Sequence, residues 1–249
     1  MPAMAKRKSG GTLLENVKTI VYAGLIAIGI RTVAFEPFNI PSGSMIPTLL
    51  VGDYVFVSKF SYGYSRFSMP FSPPIFSGRI FGALPKRGDV AVFRLPRDTS
   101  TDYIKRIIGL PGDRIQMKGG HLFINGTEVP RKPLGDYIAE GDGPRMLLKR
   151  YEETLPNGVT YTILKASDDG PLDNTIEYKV PDGDVFAMGD NRDNSLDSRV
   201  LSAVGFVPTE NLIGRAEIIF FSVDGEYPWW QVWEWPFEIR WSRLLSGIH

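Results

Sequence analysis

The sequence predicts a mainly β fold: an antiparallel β domain with an inserted β-rich lobe, preceded by one N-terminal transmembrane helix. Three observations carry this prediction. An apolar run from Thr19 to Ile30 follows a basic N-terminus, short strand-like segments follow it between turn signals, and the 249 residues include 26 Gly and 19 Pro. Frequent Gly and Pro are typical of strand-rich folds, in which tight turns are numerous.

Composition narrows the chemistry that the chain can perform. The 28 basic and 28 acidic residues balance, so the bulk charge does not indicate a nucleic-acid partner. The absence of cysteine excludes thiol nucleophiles, disulfides and thiolate metal sites. The two histidines, His121 after a Gly-Gly pair and His249 at the last position, are poorly placed to activate a nucleophile, so a Ser-His-Asp triad is not expected. We expect neither a metal nor a cofactor.

The N-terminal residues are typical of a membrane anchor. Residues 1–18 carry four Lys or Arg against Glu15, and the twelve residues from Thr19 to Ile30 are apolar or weakly polar. This run is shorter than the roughly 20 residues that span a bilayer, but it extends further if Arg31 directs its charge towards the interface. We predict an anchor at 19–37, with the preceding residues in the cytoplasm and the following ones on the far side. A cleavable signal segment and a soluble core helix are the alternatives.

After the anchor, runs of β-branched and aromatic residues predict strands. The clearest are Tyr54–Val57, Asp89–Phe93, Tyr103–Ile108 and Val185–Met188. We predict the first part of the core domain at 38–114, an inserted polar and turn-rich lobe at 115–180, and the second part of the core domain at 181–224. Asn-Gly pairs at 125–126 and 157–158 predict tight type I′ hairpin turns, because Asn and Gly tolerate the positive φ angles that such turns need.

Two aromatic-rich segments admit two interpretations each. Residues 60–85 contain seven Phe or Tyr, four Pro and no acidic residue, and they form either a loop folded back on the core or a flap that contacts lipid headgroups. Residues 225–249 hold all five tryptophans, so this tail either packs onto the domain or lies at the membrane interface, where Trp is enriched.

Lys105 is a candidate general base. Alternation along its strand places Tyr103, Lys105 and Ile107 on one face, with Arg106 on the other. An ammonium group on an apolar face loses hydration, which lowers its pKa and favours the neutral amine. A neutral lysine can accept the proton of a serine hydroxyl. A lysine that reaches solvent from an edge strand is the ordinary alternative.

Pro41-Ser42-Gly43-Ser44 supplies the candidate nucleophile. Gly43 permits a tight turn and a close approach to a substrate. Ser44 can then project its hydroxyl, while its own N–H and the Ser42 hydroxyl are positioned to bind an oxyanion. A simple Ser/Gly turn is the alternative.

Gly189–Arg199 is the third motif. Its Asp193-x-Ser195-x-Asp197 spacing is that of an opening calcium loop, but the sixth-position Gly and the closing Glu are missing, so we discount a calcium site. We predict a supporting role instead, in which Ser195 orients Lys105 and an Asp197–Arg199 pair makes the loop rigid.

Taken together, these motifs resemble bacterial type I signal peptidase, the membrane-bound Ser/Lys endopeptidase that removes signal peptides from exported proteins. The matching segments occur in the family's order: Pro41–Leu49, Gly52–Phe60, Arg87–Phe93, Tyr103–Asp113, Gly189–Arg199 and Gly205–Pro208. The resemblance implies a bacterial cytoplasmic membrane location, and Ser44, Lys105, Ser42, Ser195, Asp197 and Arg199 in the roles described above.

The resemblance also implies which residues bind the substrate. Seven positions match those that form shallow pockets for small side chains, as Ala-x-Ala cleavage sites require: Phe38, Ile40, Met45, Leu49, Val55, Tyr103 and Ile104. Signal-peptide-bearing preproteins and membrane lipid are the implied partners.

The chain departs from the family pattern in two places. Members often have two spans, whereas this sequence predicts one, and Val200–Val204 replaces the usual Tyr-Trp after the Ser-Arg pair. A Ser/Lys peptidase of the LexA-type self-cleaving group is one rival, although we identify neither a DNA-binding region nor a cleavable linker. A membrane-tethered β domain with a structural serine and lysine is the other.

Overall fold

The computed structural model describes residues 10–70, 72–139, 146–224 and 238–249. Its one α-helix in that part of the chain, α1, spans Gly10–Val33. The 21 residues of Leu13–Val33 have a mean hydropathy of 1.5 and are long and apolar enough to cross a membrane.

Helix α1 begins and ends earlier than the predicted anchor at 19–37. The chain becomes a strand at Phe35, because Pro37 cannot donate a helical hydrogen bond and residues 35–39 find strand partners instead. Arg31 therefore lies in the last turn of the helix, where it forms an ion pair of 2.9 Å with Glu36.

Fifteen strands follow α1 in the described residues: β1 Phe35–Asn39, β2 Asp53–Ser58, β3 Val90–Leu95, β4 Asp98–Gly109, β5 Arg114–Lys118, β6 His121–Ile124, β7 Thr127–Glu128, β8 Arg131–Ala139, β9 Met146–Thr154, β10 Thr160–Lys165, β11 Tyr178–Lys179, β12 Asp184–Met188, β13 Val207–Pro208, β14 Leu212–Ser222 and β15 Ser246–Gly247. All pairings between these strands are antiparallel, so the predicted fold class is confirmed.

The main sheet has the order β1-β2-β14-β3-β4-β12-β13, with β15 also paired to β14. Strand β1 pairs with β2 alone and is therefore an edge strand. Strand β4 pairs with β3 along most of its length, but β12 covers only its last residues, from Arg106 to Gly109. Residues 98–105 of β4 consequently present a second edge that is free of strand partners in the described chain.

Two smaller sheets, β10-β9-β8 and β11-β5-β6-β7, fall within the segment predicted as an inserted lobe. This segment does not have a core of its own. Ile108 of β4, together with Phe186 and Met188 of β12, packs into the same cluster as the lobe residues Ile115 and Ile163. The lobe thus packs against β12 and the end of β4, the strand that carries Lys105.

The two Asn-Gly turns differ. At the first, Asn125 and Gly126 have φ of 55° and 82° and join β6 directly to β7, which confirms the type I′ prediction. At the second, only Gly158 has a positive φ, of 84°. Five residues separate β9 from β10 there, and the Gly158 N–H donates to the Leu155 carbonyl. The type I′ prediction at 157–158 is wrong, because this longer loop needs the left-handed conformation at one residue only.

Residues 60–85 fold back on the core and also expose apolar side chains. Tyr62 and Phe67 are buried, whereas Ile75 and Phe81 are largely exposed. Arg79 closes the segment by donating hydrogen bonds to five backbone carbonyls, those of Tyr62, Gly63, Thr209, Glu210 and Leu212. The buried residues Tyr62 and Phe67 therefore agree with a loop folded back on the core. The exposed residues Ile75 and Phe81 form an apolar surface, as the flap interpretation requires.

The C-terminal tail returns to the domain where it is described. Arg243 forms an ion pair of 2.6 Å with the buried Asp53, and β15 adds to β14. Trp241 is 63% exposed. The other four tryptophans lie outside the described residues.

Candidate active site

Ser44 and Lys105 meet at the centre of the structure. Ser44 lies in a single 3₁₀ turn, Gly43–Met45, and Lys105 lies on β4. The Lys105 Nζ donates a hydrogen bond of 2.7 Å to the Ser44 Oγ and another of 3.0 Å to the Ile104 carbonyl. Both side chains are buried, with exposed fractions of 8% for Ser44 and 4% for Lys105. The two residues are 61 positions apart in the sequence.

The surroundings of Lys105 favour its neutral form. Burial lowers its pKa from 10.5 to about 8, although the negative charges of Asp197 and Asp190 oppose this shift. The Nζ also lies 5.2 Å from the centroid of the Tyr103 ring, so the two side chains share a face as the strand alternation predicts. The neutral amine is therefore a minority at neutral pH and becomes the major form above about pH 8.

Loop 189–191 holds the turn that carries Ser44. The Asn191 backbone N–H donates to the Ser44 carbonyl and its side-chain amide donates to the Gly43 carbonyl, both at 3.0 Å. Gly189 lies so close that an added Cβ would be 2.6 Å from the Ser44 carbonyl oxygen and 2.2 Å from the Ser195 Oγ. The tight contact requires glycine at 189, and it fixes the backbone of the candidate nucleophile.

Ser42 lies beside Ser44, with 3.4 Å between their Oγ atoms. Its backbone is extended, with φ of −131° and ψ of 150°, and immediately precedes the 3₁₀ turn. Its hydroxyl therefore lies on the same side of the turn as the Ser44 hydroxyl, where the sequence placed a candidate oxyanion donor.

The supporting residues are brought together, but not all in the predicted contacts. The Asp197 carboxylate receives two hydrogen bonds of 2.9 Å from the Arg199 Nε and Nη2, and a third of 3.0 Å from the Gly189 N–H. Although burial disfavours its charge, these contacts hold the pKa of Asp197 below its usual value. The Ser195 side chain is buried and helps to lower the pKa of Asp197. It packs against Gly189, and its expected hydrogen bond to Lys105 is not formed.

The carboxylates of the discounted calcium motif form hydrogen bonds and ion pairs within the protein. Asp193 accepts hydrogen bonds from the Lys165 Nζ and from the backbone N–H groups of Ala166 and Ser167. Asp197 is engaged by Arg199 as described above. Within the described ranges, no group of three or more His, Asp or Glu residues could hold a metal ion.

Arg106 and Asp190 were not identified from the sequence. Arg106 follows Lys105 on β4, and its guanidinium is completely buried against the Asp190 carboxylate. The sequence contained a usable signal, because an arginine in the apolar run of β4 requires a buried counter-charge. Because the two positions are 84 residues apart, the sequence did not indicate which acidic residue supplies that counter-charge.

A cleft of about 410 Å³ opens in front of Ser44 and Lys105. The β1 edge forms one wall and the free edge of β4 forms the other, and Leu196 and Asn194 border the opening. Four of the seven residues predicted to bind substrate line it: Phe38, Ile40, Tyr103 and Ile104.

The other three predicted substrate-binding residues do not line this cleft. Met45, Leu49 and Val55 have no exposed surface and belong to the core cluster behind it, together with Ile40 and Ile104. An apolar pattern marks both pocket walls and the core that supports them, so the sequence could not separate the two sets.

A β-rich fold, a buried serine–lysine pair and an open cleft flanked by two strand edges form an arrangement that suits a peptidase. The chain belongs to the signal peptidase family, peptidase S26, whose family model matches residues 13–221.

Two curated relatives support this membership along almost the whole chain. Signal peptidase I of Rickettsia typhi is 41% identical over 261 residues, covering 97% of this chain and 96% of that protein. Signal peptidase I of Rickettsia akari is 46% identical over 263 residues, and the match covers 98% of this chain and 96% of that protein. A crystal structure of a signal peptidase I from Enterococcus faecalis is 28% identical, with a TM-score of 0.31, and the match covers 53% of this chain and 97% of the solved chain.

Proposed function

We propose that the protein is a membrane-anchored serine endopeptidase that cleaves signal peptides from exported preproteins, with Ser44 as nucleophile and Lys105 as general base. The observation that carries the proposal is the 2.7 Å hydrogen bond between the Lys105 Nζ and the Ser44 Oγ, with the pKa of Lys105 lowered to about 8. Family membership supports the substrate class, because the similar proteins are signal peptidases.

The reaction begins with a proton transfer. Neutral Lys105 accepts the Ser44 hydroxyl proton as the oxygen attacks the scissile carbonyl carbon, giving a tetrahedral oxyanion. Protonated Lys105 then donates that proton to the leaving amine, and the C–N bond breaks to leave an acyl-enzyme on Ser44. Lys105, neutral again, accepts a proton from water as the water attacks the ester, and returns it to Ser44 when the acid product leaves.

The oxyanion is bound by the Ser44 N–H and the Ser42 hydroxyl in this proposal. The Ser42 Oγ lies 3.4 Å from the Ser44 Oγ, close enough to face an oxygen that develops on a carbon bonded to Ser44. Donors that are fixed before the reaction stabilise developing charge without reorganising. The hydrogen bonds from Asn191 to residues 43 and 44 supply that fixation.

The substrate enters as an extended strand between the two edges of the cleft. The edge near Phe38–Ile40 and the partner-free edge of β4 both offer backbone groups for β-augmentation. Ile40, Ile104 and the Tyr103 ring restrict the space beside Ser44, which suits the small residues of an Ala-x-Ala site.

Helix α1 anchors the enzyme in the bacterial cytoplasmic membrane in this proposal. The basic residues of segment 1–18 favour a cytoplasmic position for the start of the chain, so the β domain lies on the exoplasmic side. We assign residues 38–114 and 181–224 to the catalytic core, 115–180 to the inserted lobe and 225–249 to a Trp-rich tail. The exposed apolar residues of 60–85 supply a surface for lipid.

A precursor-processing assay tests the proposal. Purified wild-type protein in detergent should convert a signal-bearing preprotein to its mature form, and Ser44→Ala and Lys105→Met should not. Ser167→Ala and Lys118→Met make the same substitutions at exposed positions far along the chain and serve as matched controls. Processing by Ser44→Ala or Lys105→Met at the wild-type rate would rule out the Ser/Lys assignment.

A further inference from the structure

A second cavity, of about 590 Å³, continues the cleft in the direction of α1. It shares Phe38 and Asp102 with the cleft and extends past them to Arg31, in the last turn of the helix. The mechanism described above does not use this space.

The wall of the second cavity is polar on the β3–β4 side. Arg94 and Asp102 are cross-strand partners, and the Arg94 Nη1 lies 3.2 Å from the Asp102 Oδ1. The Arg94 Nε is buried and has no hydrogen-bond partner in the described residues. Burial raises the pKa of Asp102, an effect that Arg94 opposes. This side of the cavity thus offers one unused donor and one carboxylate acceptor a short distance apart.

The charged groups of the opposite wall already have ion-pair partners. Glu36 receives ion pairs of 2.9 Å from both Arg31 and Lys59. The floor between the two walls is apolar and consists of Phe67, Met69 and Ile213. Because each of these charged groups already has an ion-pair partner, a charged side chain entering the cavity would have to compete with an existing ion pair. A neutral side chain with an aliphatic stem and a polar end fits these walls best.

The direction of the substrate follows from the position of α1. In a signal peptide, the apolar segment precedes the cleavage site. If that segment lies in the membrane beside α1, as the proposed function requires, the residues upstream of the scissile bond run from Ser44 towards Arg31. They therefore pass the second cavity.

Strand geometry indicates which upstream residue reaches it. Asp102 precedes Lys105 by three residues on β4, a distance of about 10 Å in an extended strand. In an extended substrate, the first, third and fifth residues before the scissile bond face the same side, and the fifth lies about 13 Å from the first. The first and third occupy the cleft, so the fifth faces the second cavity.

We propose that the second cavity is a substrate subsite for an uncharged hydrogen-bonding side chain, an amide or a hydroxyl, five residues before the scissile bond. An amide there accepts a hydrogen bond from the Arg94 Nε and donates one to the Asp102 carboxylate. The proposal rests on the proposed function and adds a specificity determinant to it.

The test is a competition assay on the full-length protein in detergent, with two preproteins that carry Gln or Leu at the fifth position before the cleavage site. Gln and Leu have similar volumes, so hydrogen bonding is the main difference. We expect kcat/KM to favour Gln by at least about fivefold, the effect of one of the two proposed hydrogen bonds. Moving the same pair of residues to the fourth position, which faces away from the cavity, should remove the preference.

Two double variants assign the preference to the cavity. Arg94→Met with Asp102→Leu should reduce the Gln:Leu ratio to about one, because both polar partners are replaced by apolar groups. Arg66→Met with Glu210→Leu removes a neighbouring ion pair that does not line the cavity, and should retain the wild-type ratio. Circular dichroism checks that both variants are folded.

Equal cleavage of the Gln and Leu substrates by the wild-type protein would overturn the subsite. A preference that persists in the Arg94/Asp102 double variant would overturn it as well. Failure of the wild-type protein to cleave either preprotein contradicts the proposed function itself, so the two failures are distinguishable.

Discussion

Arg106 and Asp190 form a two-pronged ion pair with no solvent exposure on either side chain. The Arg106 Nε lies 2.9 Å from the Asp190 Oδ1 and the Nη2 lies 2.7 Å from the Oδ2. Arg106 also donates to the Gly88 carbonyl, and the Thr48 hydroxyl donates to Asp190. The pair joins the residue after Lys105 to the residue before Asn191, and so connects the strand of the base to the loop that holds the nucleophile.

Replacing Arg106 with Met should destabilise the protein by about 3–5 kcal/mol, because the Asp190 carboxylate would remain buried without its counter-charge. Urea unfolding of the detergent-solubilised protein measures this loss. The double replacement Arg106→Met with Asp190→Leu should recover much of it, since no unpaired charge remains. A loss of less than about 1 kcal/mol for Arg106→Met, the range of exposed ion pairs, would contradict this assignment.

The pH dependence of cleavage should follow the protonation of Lys105. The base acts as the neutral amine and its pKa is about 8, so protonation at lower pH removes the active form. We expect log kcat/KM to rise with pH by about one per unit below pH 8 and to level off above it. A pH–rate profile with a signal-bearing preprotein provides the measurement.

Asp197→Asn should move this profile to lower pH, because the negative charge of Asp197 raises the pKa of Lys105. Asp136→Asn, an exposed change on the lobe, is the matched control and should leave the profile in place. Full activity of the wild-type protein well below neutral pH would be inconsistent with Lys105 as the base.

Gly189→Ala should lower kcat more than it raises KM. The added methyl group would lie 2.6 Å from the Ser44 carbonyl oxygen and 2.5 Å from the Ser195 Cβ, so the turn that carries Ser44 must shift. A misplacement of about 1 Å at a reacting group can cost about 100-fold in rate. Gly29→Ala, where a Cβ meets nothing within 4 Å, is the control and should have wild-type kinetics. Wild-type kcat in Gly189→Ala would show that the contact does not position Ser44.

Ser42→Ala should impair cleavage without abolishing it. Removal of one oxyanion donor typically lowers kcat by about 10²–10³. Because the Ser44 N–H and Lys105 remain in place, activity should stay above that of Ser44→Ala. Single-turnover kinetics on a preprotein separates the chemical step from binding. Complete inactivity of a folded Ser42→Ala protein, or unchanged kcat, would each exclude this role.

Local patterns predicted much of the fold. Alternating and apolar runs located β2, β3, β4 and β12, and the type I′ turn at 125–126 was evident from Asn-Gly alone. The predicted anchor extends past the end of α1 because Phe35 and Phe38 continue the apolar run, although Pro37 marks the end of the helix. The strand conformation of residues 35–39 depends on the pairing of β1 with β2, a long-range contact that no local pattern contains.

The candidate nucleophile and base were predictable because the composition leaves few residues that could act as the base. The lack of cysteine and the poor placement of histidine left a lysine as the base, and the structure places Lys105 beside Ser44. The orientation of Ser195 and the burial of Met45, Leu49 and Val55 depend on packing between distant segments. Arg106 required knowledge of a partner 84 residues away, which no local pattern contains.

The junction between α1 and β1 limits the distance between the helix and the cleft. One residue, Ala34, separates the end of α1 at Val33 from the start of β1, and its carbonyl accepts a hydrogen bond from the Lys59 N–H. The Tyr64 hydroxyl donates to the Val33 carbonyl, so the junction is held on both sides. With α1 in a membrane, as proposed, the five residues of β1, roughly 17 Å long when extended, limit how far the cleft can lie from the bilayer. A preprotein whose apolar segment ends too near its cleavage site could not reach Ser44, and one with a much longer spacer would have to loop out.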